Sequence, residues 1–484
     1  MAMALRQTKT TRALVVGLGL TGASCVRYLV AQGYDVSAID SRAAPPNLAD
    51  VQREFPDMPV HTGGFEKDWF KLADIIVVSP GISVHEPSIA AATADGREIV
   101  GDIELFARAV QGRANVGRSQ HPASRDTGTS MYGAGGRAPG ATAARTPVLA
   151  VTGSNGKSTV TALVGAMCRA AGLDTRVGGN IGVPALSLLQ TSEPNVYVLE
   201  LSSFQLETTS SLNARAAAIL NISADHMDRY RDILEYTDAK ARIFRGDGVM
   251  VLNADDARVR GLSQSGRRTV RFSLAAPASD RDFGLRMHGR EMWLARGNDD
   301  LMPTTQLRMP GRHNVANALA AMALTDALGI AREAQIDAAR AFTGLPHRTE
   351  LIAERDGIRW INDSKGTNVG ATVAALNGMD APVVLIAGGD GKGADFGELR
   401  DACARHARAV LLIGRDGPRI DAALSGAVAT MYATDMRDAV RRAATTAHVG
   451  DVVLLSPACA SFDMFRNYEH RGDVFRAAVQ ELLS

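Results

Sequence analysis

Short, unbroken apolar runs recur along the chain, and most end in glycine, serine, asparagine or an acid. Leu14–Val16, Val36–Ile39 and Asp74–Val78 lie in the first hundred residues, and Val148–Val151, Val196–Leu199, Ala218–Asn221 and Gly248–Asn253 in the middle. Ile358–Trp360, Val383–Ile386, Val410–Ile413 and Val452–Leu455 follow near the end. Runs of this length without a helical repeat predict buried strands. Helical spacing separates them, through Ser24–Leu29, over Val160–Ala171 with Gly172 as its stop, between Arg231 and Arg245, and over Asn314–Ile330. The final helix repeats apolar residues at Val474, Phe475, Ala478, Val479, Leu482 and Leu483, a stripe to dock on a sheet. Strand, polar loop and helix in alternation predict open α/β sheets with ligand loops at the C-terminal ends of the strands. Only 269–310, with β-leaning pieces at Thr269–Phe272 and Glu291–Leu294, reads as a peripheral antiparallel addition.

Two breaks divide the pattern. Residues 112–146 hold seven glycines, five arginines and one acid, Asp126, with no apolar periodicity, and read as a disordered insertion or linker. Gly344-Leu345-Pro346-His347-Arg348 reads as a hinge. The division is then 1–111, the insertion 112–146, 147–344 and 345–484, in keeping with two to four domains for 484 residues.

Composition narrows the class. Lys+Arg of 53 against Asp+Glu of 52 leaves a net charge of +1, no global field for nucleic acid or an anionic membrane, so any anion site must be local. Cys25, Cys168, Cys403 and Cys459 lie far apart without a CxxC, which suggests neither zinc nor disulfides and fits a reducing cytoplasm. No signal-peptide pattern and no run of about 18 apolar residues occurs, so a soluble, cytoplasmic protein is expected.

The strand-end loops carry the chemistry. Gly17, Gly19 and Gly22 have GxGxxG spacing, with Asp40 closing the next strand. That turn suits a dinucleotide or another diphosphate ligand equally well. Thr152-Gly153-Ser154-Asn155-Gly156-Lys157-Ser158-Thr159 follows an apolar strand and opens a helix, the arrangement of a phosphate loop for a nucleoside triphosphate with Mg²⁺, except that Val151 stands where the usual pattern has its first glycine. Glu200 ends a neighbouring strand, where an acid can reach such a metal, and Asp225-His226 follows another. Asn362–Lys365, Gly388–Lys392 and Ser456–Ser461 form polar strand-end loops in the last domain. Two readings follow from these loops taken singly: an NAD-dependent oxidoreductase built on the glycine turn and Asp40, and a phosphate-loop NTPase acting on a macromolecule through the basic insertion.

The valine-for-glycine phosphate loop is similar to that of the Mur ligase and folylpolyglutamate synthetase superfamily. Glu200–Glu207, Asp225–Tyr230, Leu345–Arg348 and Asn362–Asn368 resemble more closely the D-glutamate-adding branch of the Mur ligase family, over essentially the whole chain except 112–146. The resemblance implies three α/β domains: an N-terminal Rossmann-like UDP-binding domain, a central ATP-binding domain and a C-terminal Rossmann-like domain. It implies an ATP-dependent amide ligase joining D-glutamate to UDP-N-acetylmuramoyl-L-alanine through an acyl phosphate, in peptidoglycan precursor synthesis, with another Mur-type or folylpolyglutamate-type ligase as the alternative.

The resemblance also implies roles. Leu20, Thr21, Asp40, Ser41, Arg42 and Gly81 would hold the UDP group, and Asn180 would contact the sugar nucleotide. Gly153, Asn155, Gly156 and Lys157 would cradle ATP phosphates, and Ser158 or Thr159 with Glu200 would hold one Mg²⁺. His226 and a carbamylated Lys240 would hold a second, because a carbamate presents oxygen where an ammonium would repel the ion. Asn314 and Asn317 would contact adenine, and Arg348 and Asp363 the nucleotide from across the hinge. Lys365, Thr367, Lys392, Ser461 and Tyr468 would line the D-glutamate pocket. Two residues depart from the family pattern: Ser41 where threonine is expected, which keeps the hydroxyl, and Tyr468 where phenylalanine is expected. A monomer that closes its last domain over the nucleotide is expected.

Overall fold

The structure is a computed structural model that describes residues 10–119 and 145–484. It contains three sheets. The first has the spatial order Val60–Thr62, Asp35–Asp40, Arg12–Val16, Ile75–Val78, Glu98–Val100, all parallel. Its strand order reverses beside Arg12–Val16, so the loops after Val16 and Val78 splay apart and leave a crevice between them. Leu14, Val16, Ile39, Ile76 and Val78 pack one face against Phe70 and Ile89.

The second sheet has nine strands, in the order Asp299–Pro303, Glu291–Arg296, Phe283–His288, Thr269–Phe272, Val249–Asn253, Ala216–Ile219, Val148–Thr152, Val196–Glu200, Thr175–Gly179. The expected antiparallel addition is there in part, as the two pairings among 283–303, whereas Thr269–Phe272 pairs parallel with both its neighbours, Val249–Asn253 and Phe283–His288. The third sheet has six, in the order Glu350–Arg355, Ile358–Asn362, Val452–Leu455, Val383–Gly388, Ala407–Ile413, Ala429–Tyr432, parallel apart from the first pair.

That last sheet shows why its strands read as continuous apolar runs. Val383, Leu385, Ala387, Val410, Leu412, Val452 and Leu454 face one core, while Val384, Ile386, Leu411, Ile413, Val453 and Leu455 face another. Successive side chains alternate between faces, and both faces are covered. The C-terminal helix, Tyr468–Leu483, docks on the second core through Phe475, Ala478 and Val479, whereas Leu482 is 39% exposed.

By its contacts the chain forms two compact units, one of residues 1–150, 173–217 and 238–248, the other of 151–172, 218–237 and 249–484. The four cysteines are free and buried, and among the described residues no helix is long and apolar enough to cross a membrane.

Several elements depart from the sequence reading. Residues 112–119, read as the start of the linker, are the end of a helix spanning Asp102–Ser119. Its first part buries Ile103, Leu105, Phe106, Ala107 and Val110, and a helix once nucleated adds a hydrogen bond for each further residue it fixes. The rest of that segment, 120–144, lies outside the described residues. The strands Val60–Thr62, Glu98–Val100, Thr175–Gly179 and Ala429–Tyr432 were not anticipated: they are short sheet edges or end in glycine, and their neighbours rather than their own pattern select them. The strand expected at Ala218–Asn221 runs earlier, Ala216–Ile219, which frees Asn221 for the phosphate loop.

Gly388, at the end of its strand, has φ +124°, and a Cβ there would stand 1.9 Å from the Ile413 carbonyl oxygen. Gly388→Ala is expected to cost about 3 kcal/mol, measured as a lower urea midpoint; an unchanged midpoint would show that the strand end can relax.

Candidate active site

In the second unit, the strand Val148–Thr152 delivers its C-terminal end to Gly153 at φ +153° and Gly156 at φ +81°, and the helix Lys157–Ala170 begins directly after. Asn221 stitches the loop, accepting from the Asn155 N–H at 2.8 Å and donating to its carbonyl at 3.1 Å. The Lys157 ammonium donates to the carbonyls of Gly153 and Ser154, both at 2.8 Å, so its charge is fixed above the loop. No acid occupies the helix's first turn. Positive charge, a helix N-terminus and left-handed glycines together make an anion seat.

A cavity of about 200 Å³ adjoins this seat, lined by Asn155, Gly156 and Thr159 from the loop and helix, Asn314 and Asn317, and Arg348, Asp363 and Lys365. Gly156 must be glycine, because a Cβ would approach Asn317 Oδ1 to 2.6 Å. Asn317 donates to Asn314 Oδ1 at 3.0 Å, and Asn314 to the Pro310 carbonyl at 2.8 Å, which fixes both amides. The Arg348 guanidinium donates to the Ser158 hydroxyl at 2.6 Å. Asp363 is 8% exposed; it accepts from the Thr349 N–H and the Ser456 hydroxyl, and burial outweighs those bonds to push its pKa up to about 6.

In the first unit, a cavity of about 500 Å³ sits at the crevice of the five-stranded sheet. Leu20, Thr21, Ser41, Arg42, Gly81 and Asn180 line it together, and Gln205 joins them. Asp40 does not line it. Its Oδ2 accepts from the Leu18 N–H and the Arg42 guanidinium, both at 2.7 Å, and its Oδ1 from the Arg42 N–H and Nε at 2.8 and 2.9 Å. Burial opposes its charge, but Arg42 and the two N–H groups outweigh it and hold the pKa below the usual carboxylate value. With its oxygens engaged in shaping the loop, Asp40 no longer offers a ribose acceptor, the feature that carried the dinucleotide reading.

Glu200, at the end of strand Val196–Glu200, is 2% exposed. Its Oε1 accepts from the Asn180 amide at 2.7 Å, while Oε2 is buried with no hydrogen-bond partner among the described residues. A buried carboxylate oxygen left unpaired is costly unless a cation meets it. Lys240, in the helix Ile233–Ala241, is 1% exposed. In the second unit His226 takes φ +59°, with its Nε2 3.6 Å from Asp225 Oδ2. No cluster of three His, Cys, Asp or Glu capable of holding a metal occurs among the described residues. Carboxylate and hydroxyl oxygens completed by phosphate are nonetheless the donor set of Mg²⁺, which needs no dedicated all-protein cage.

The third sheet brings its strand-end loops together. Asp390 and Ala460 exchange backbone hydrogen bonds at 2.9 and 2.8 Å, and the Ala458 N–H donates to the Gly366 carbonyl at 2.9 Å. Lys365 Nζ lies 3.9 Å from the centre of the Tyr468 ring. Ser461 is buried, and Lys392 is exposed at φ +49° with its N–H on Asp390. The Thr367 N–H donates to the Lys365 carbonyl. Arg471, fully buried, donates to the Ser364 hydroxyl and carbonyl and to the Cys459 carbonyl at 2.8 to 3.0 Å, clamping two of these loops.

Sequence reasoning passed over Arg471, Gln205 and Asn221. Only Gln205 left a local signal, as the last residue of the capping box Ser202-x-x-Gln205. Its amide also donates to Asp102 Oδ2 at 2.9 Å.

These features define a class: an α/β protein with a phosphate-type loop at one strand end and further polar strand-end loops beside separate cavities. Comparison with known proteins agrees. Residues 11–101 match the family model for the Mur ligase MurD-like N-terminal domain, 151–325 the Mur ligase middle domain, and 347–459 the Mur ligase glutamate ligase domain. The chain belongs to the Mur ligase family. Two proteins named UDP-N-acetylmuramoylalanine–D-glutamate ligase, from Methylobacillus flagellatus and Thiobacillus denitrificans, are each 52% identical; the matches cover 98% of this chain and 98% and 97% of theirs. In fold it is similar to a pseudomurein peptide ligase type C from Methanothermus fervidus (16% identity, TM-score 0.57, 98% of this chain and 100% of that one). UDP-N-acetylmuramate-alanine ligase MurC from Thermotoga maritima is likewise similar (19% identity, TM-score 0.56, 97% and 99%).

Asp102 and Glu104, in the first turn of one helix, are both almost fully buried, yet their environments diverge. Against burial, the N–H groups of Ser210 and Ser211 and the Arg108 guanidinium pull Glu104 down to about 2. Burial outweighs the Gln205 amide and the Ile103 and Asp102 N–H groups at Asp102 and pushes it up to about 6. The folded state therefore holds the Asp102 proton that the unfolded chain has lost between pH 4 and 6, and that stability is lost as pH rises through 6. Asp102→Asn should remove roughly 3 kcal/mol of this pH dependence. Urea unfolding at pH 4, 5, 6 and 7 reads it as a shallower fall; identical slopes would mean Asp102 titrates normally.

Proposed function

We propose that this chain uses ATP to join the amine of D-glutamate to the L-alanyl carboxylate of UDP-N-acetylmuramoyl-L-alanine, in the cytoplasmic synthesis of peptidoglycan precursor. The observation that carries the reading is the Lys157 ammonium fixed to the Gly153 and Ser154 carbonyls, beside a cavity shared with Asn317, Arg348 and Asp363. Whole-length identity to D-glutamate ligases supports the choice of substrates. We divide the chain at 1–111, 112–146, 147–344 and 345–484, and the three family matches fall within the first, third and fourth of these.

A carboxylate is a poor acyl donor because oxide is a poor leaving group. Attack of the L-alanyl carboxylate oxygen on the γ-phosphorus of ATP releases ADP and gives an acyl phosphate. The D-glutamate nitrogen then attacks the acyl carbon, the C–O bond to phosphate breaks, and the ammonium proton passes to solvent. Both reacting partners in the first step are anionic, so positioning and charge neutralisation dominate. Lys157 and the loop N–H groups hold the β- and γ-phosphates. Asn314 and Asn317 bind adenine, and Arg348 and Asp363 orient the nucleotide.

Mg²⁺ bound at this site would offset phosphate charge as a Lewis acid. Glu200, with Ser158 or Thr159, would hold one ion, and its unpaired Oε2 fits that use. His226 and Lys240 would hold a second, with Lys240 carbamylated so that it presents oxygen to the ion in place of an ammonium. Leu20, Thr21, Ser41, Arg42, Gly81 and Asn180 hold the sugar nucleotide, with Asp40 supporting their loop. Lys365, Thr367, Lys392 and Ser461 receive the D-glutamate carboxylates, and Tyr468 backs Lys365.

The deciding experiment is ADP and phosphate release with UDP-N-acetylmuramoyl-L-alanine, offering D-glutamate, L-glutamate, L-lysine or diaminopimelate. Turnover is expected with D-glutamate alone; turnover only with another amino acid would make the chain a different amide ligase. Lys157→Ala should lower kcat about 10³-fold, roughly 4 kcal/mol in the barrier, and a loss under tenfold would remove Lys157 from phosphate neutralisation. Lys240→Ala should be inactive and partly recover with an added short carboxylate such as acetate. Full activity without it would take Lys240 out of the site.

A further inference from the structure

The hinge at Leu345–Arg348 ends in an unusual turn. His347 has φ +60° and Thr349 φ +49°, with Arg348 between them. The left-handed region is disfavoured for any residue with a Cβ and most of all for a β-branched one, so Thr349 stays there only if its surroundings hold it. Its N–H donates to Asp363 Oδ1 at 3.1 Å, and its hydroxyl lies 3.0 Å from His313 Nε2. His347 is held in the same way, its N–H on Glu350 at 3.0 Å and its Nδ1 accepting from the Asn362 amide at 3.0 Å.

His313 is itself immobilised. It is the second residue of the helix Arg312–Asp326, directly before Asn314. A Cβ on Gly311 would lie 2.7 Å from its ring, and a Cβ on Gly378 also 2.7 Å, so two glycines make the slot in which the imidazole sits. Desolvation pulls its pKa down to about 4, which keeps the ring neutral with one donor and one acceptor nitrogen. His313, Arg348, Thr349 and Asp363 all line the 200 Å³ cavity.

We propose that His313 and Thr349 form a positioning pair for ATP: their hydrogen bond holds the strained turn that aims Arg348 at the phosphate loop and keeps Asp363 facing the same cavity. This rests on the reading of that cavity as the ATP site. Neither residue acts on the reacting atoms. With the bond removed, the turn relaxes toward right-handed backbone and Arg348 leaves the line to Ser158. The sugar-nucleotide cavity is lined by none of these residues, so its affinity should not change.

The test is a double-mutant cycle in the full-length enzyme with Thr349→Val, which keeps the branched shape but loses the hydroxyl, and His313→Gln. Each single variant should raise the KM for ATP about tenfold, with the KM for UDP-N-acetylmuramoyl-L-alanine unchanged within twofold. The double variant should be no worse than the worse single one, and Thr349→Ser should restore the wild-type KM. Multiplicative effects near 100-fold, an unchanged KM for ATP, or equal rises in both KM values would overturn the pairing. If Thr349→Val does not fold, the comparison of Thr349→Ser with His313→Gln decides: a serine variant as impaired as the glutamine one refutes the role of the hydroxyl. Failure of the wild-type protein to release ADP with these substrates would instead defeat the functional reading, so the two failures are distinguishable.

Discussion

The chemistry brings a carboxylate and a triphosphate, both anions, into bonding distance, and a chain of net charge +1 cannot attract them by a general field. Attraction has to be local and directional. The fold meets this by ending buried strands in loops that carry glycines and lysines at the strands' C-terminal ends. Lys157 illustrates the point, because its two carbonyl partners spend its hydrogen bonds on the loop and hold the ammonium where phosphate oxygens would come. A mobile lysine would have to give up side-chain entropy at each turnover, about 2 kcal/mol.

The same loops carry the cost of burying polar groups. Glu200 and Lys240 are almost fully buried, and among the described residues one Glu200 oxygen has no hydrogen-bond partner. Such groups are poor contributors to stability and good ones to chemistry, since low dielectric strengthens whatever partner arrives. Arg471 is the opposite case: equally buried, but with each guanidinium nitrogen hydrogen-bonded, it joins the loops after Asn362 and Leu455. The turn at 347–349 combines both situations, with a conformational cost of about 1–3 kcal/mol per strained residue offset by bonds that reach out to His313, Asn362 and Asp363.

Much of this was legible locally. Continuous apolar runs predict parallel, doubly covered strands because burial on both faces removes the polar half of the usual alternation, and Val383–Ile386 and Val452–Leu455 fold that way. Glycine spacing marks two strand-end loops, because Gly17, Gly153 and Gly156 take positive φ and a Cβ on Gly22 would collide with the Gly17 carbonyl. Edge strands such as Val60–Thr62 and Glu98–Val100 were not legible, since a strand of three residues is selected by the hydrogen bonds its neighbour offers. The helix running on to Ser119 was hidden for a related reason: its anchor is the buried segment before it, not the glycine- and arginine-rich sequence of its end.

The sequence by itself determined the class of sheet, the order of the loops and the residue types at each strand end, because these depend on periodicity and backbone freedom, both local properties. It also picked out Asp40 at the end of the strand after the glycine turn, but not which donors surround it. Whether a carboxylate faces a ligand or braces a loop depends on which donors surround it, and Arg42 and the Leu18 N–H were placed there by the packing of two strands. Tertiary structure likewise decided that His313, Thr349 and Asp363, up to 50 positions apart in the chain, share one cavity. Distances of that kind are set by how helices and sheets pack, and no local pattern encodes them.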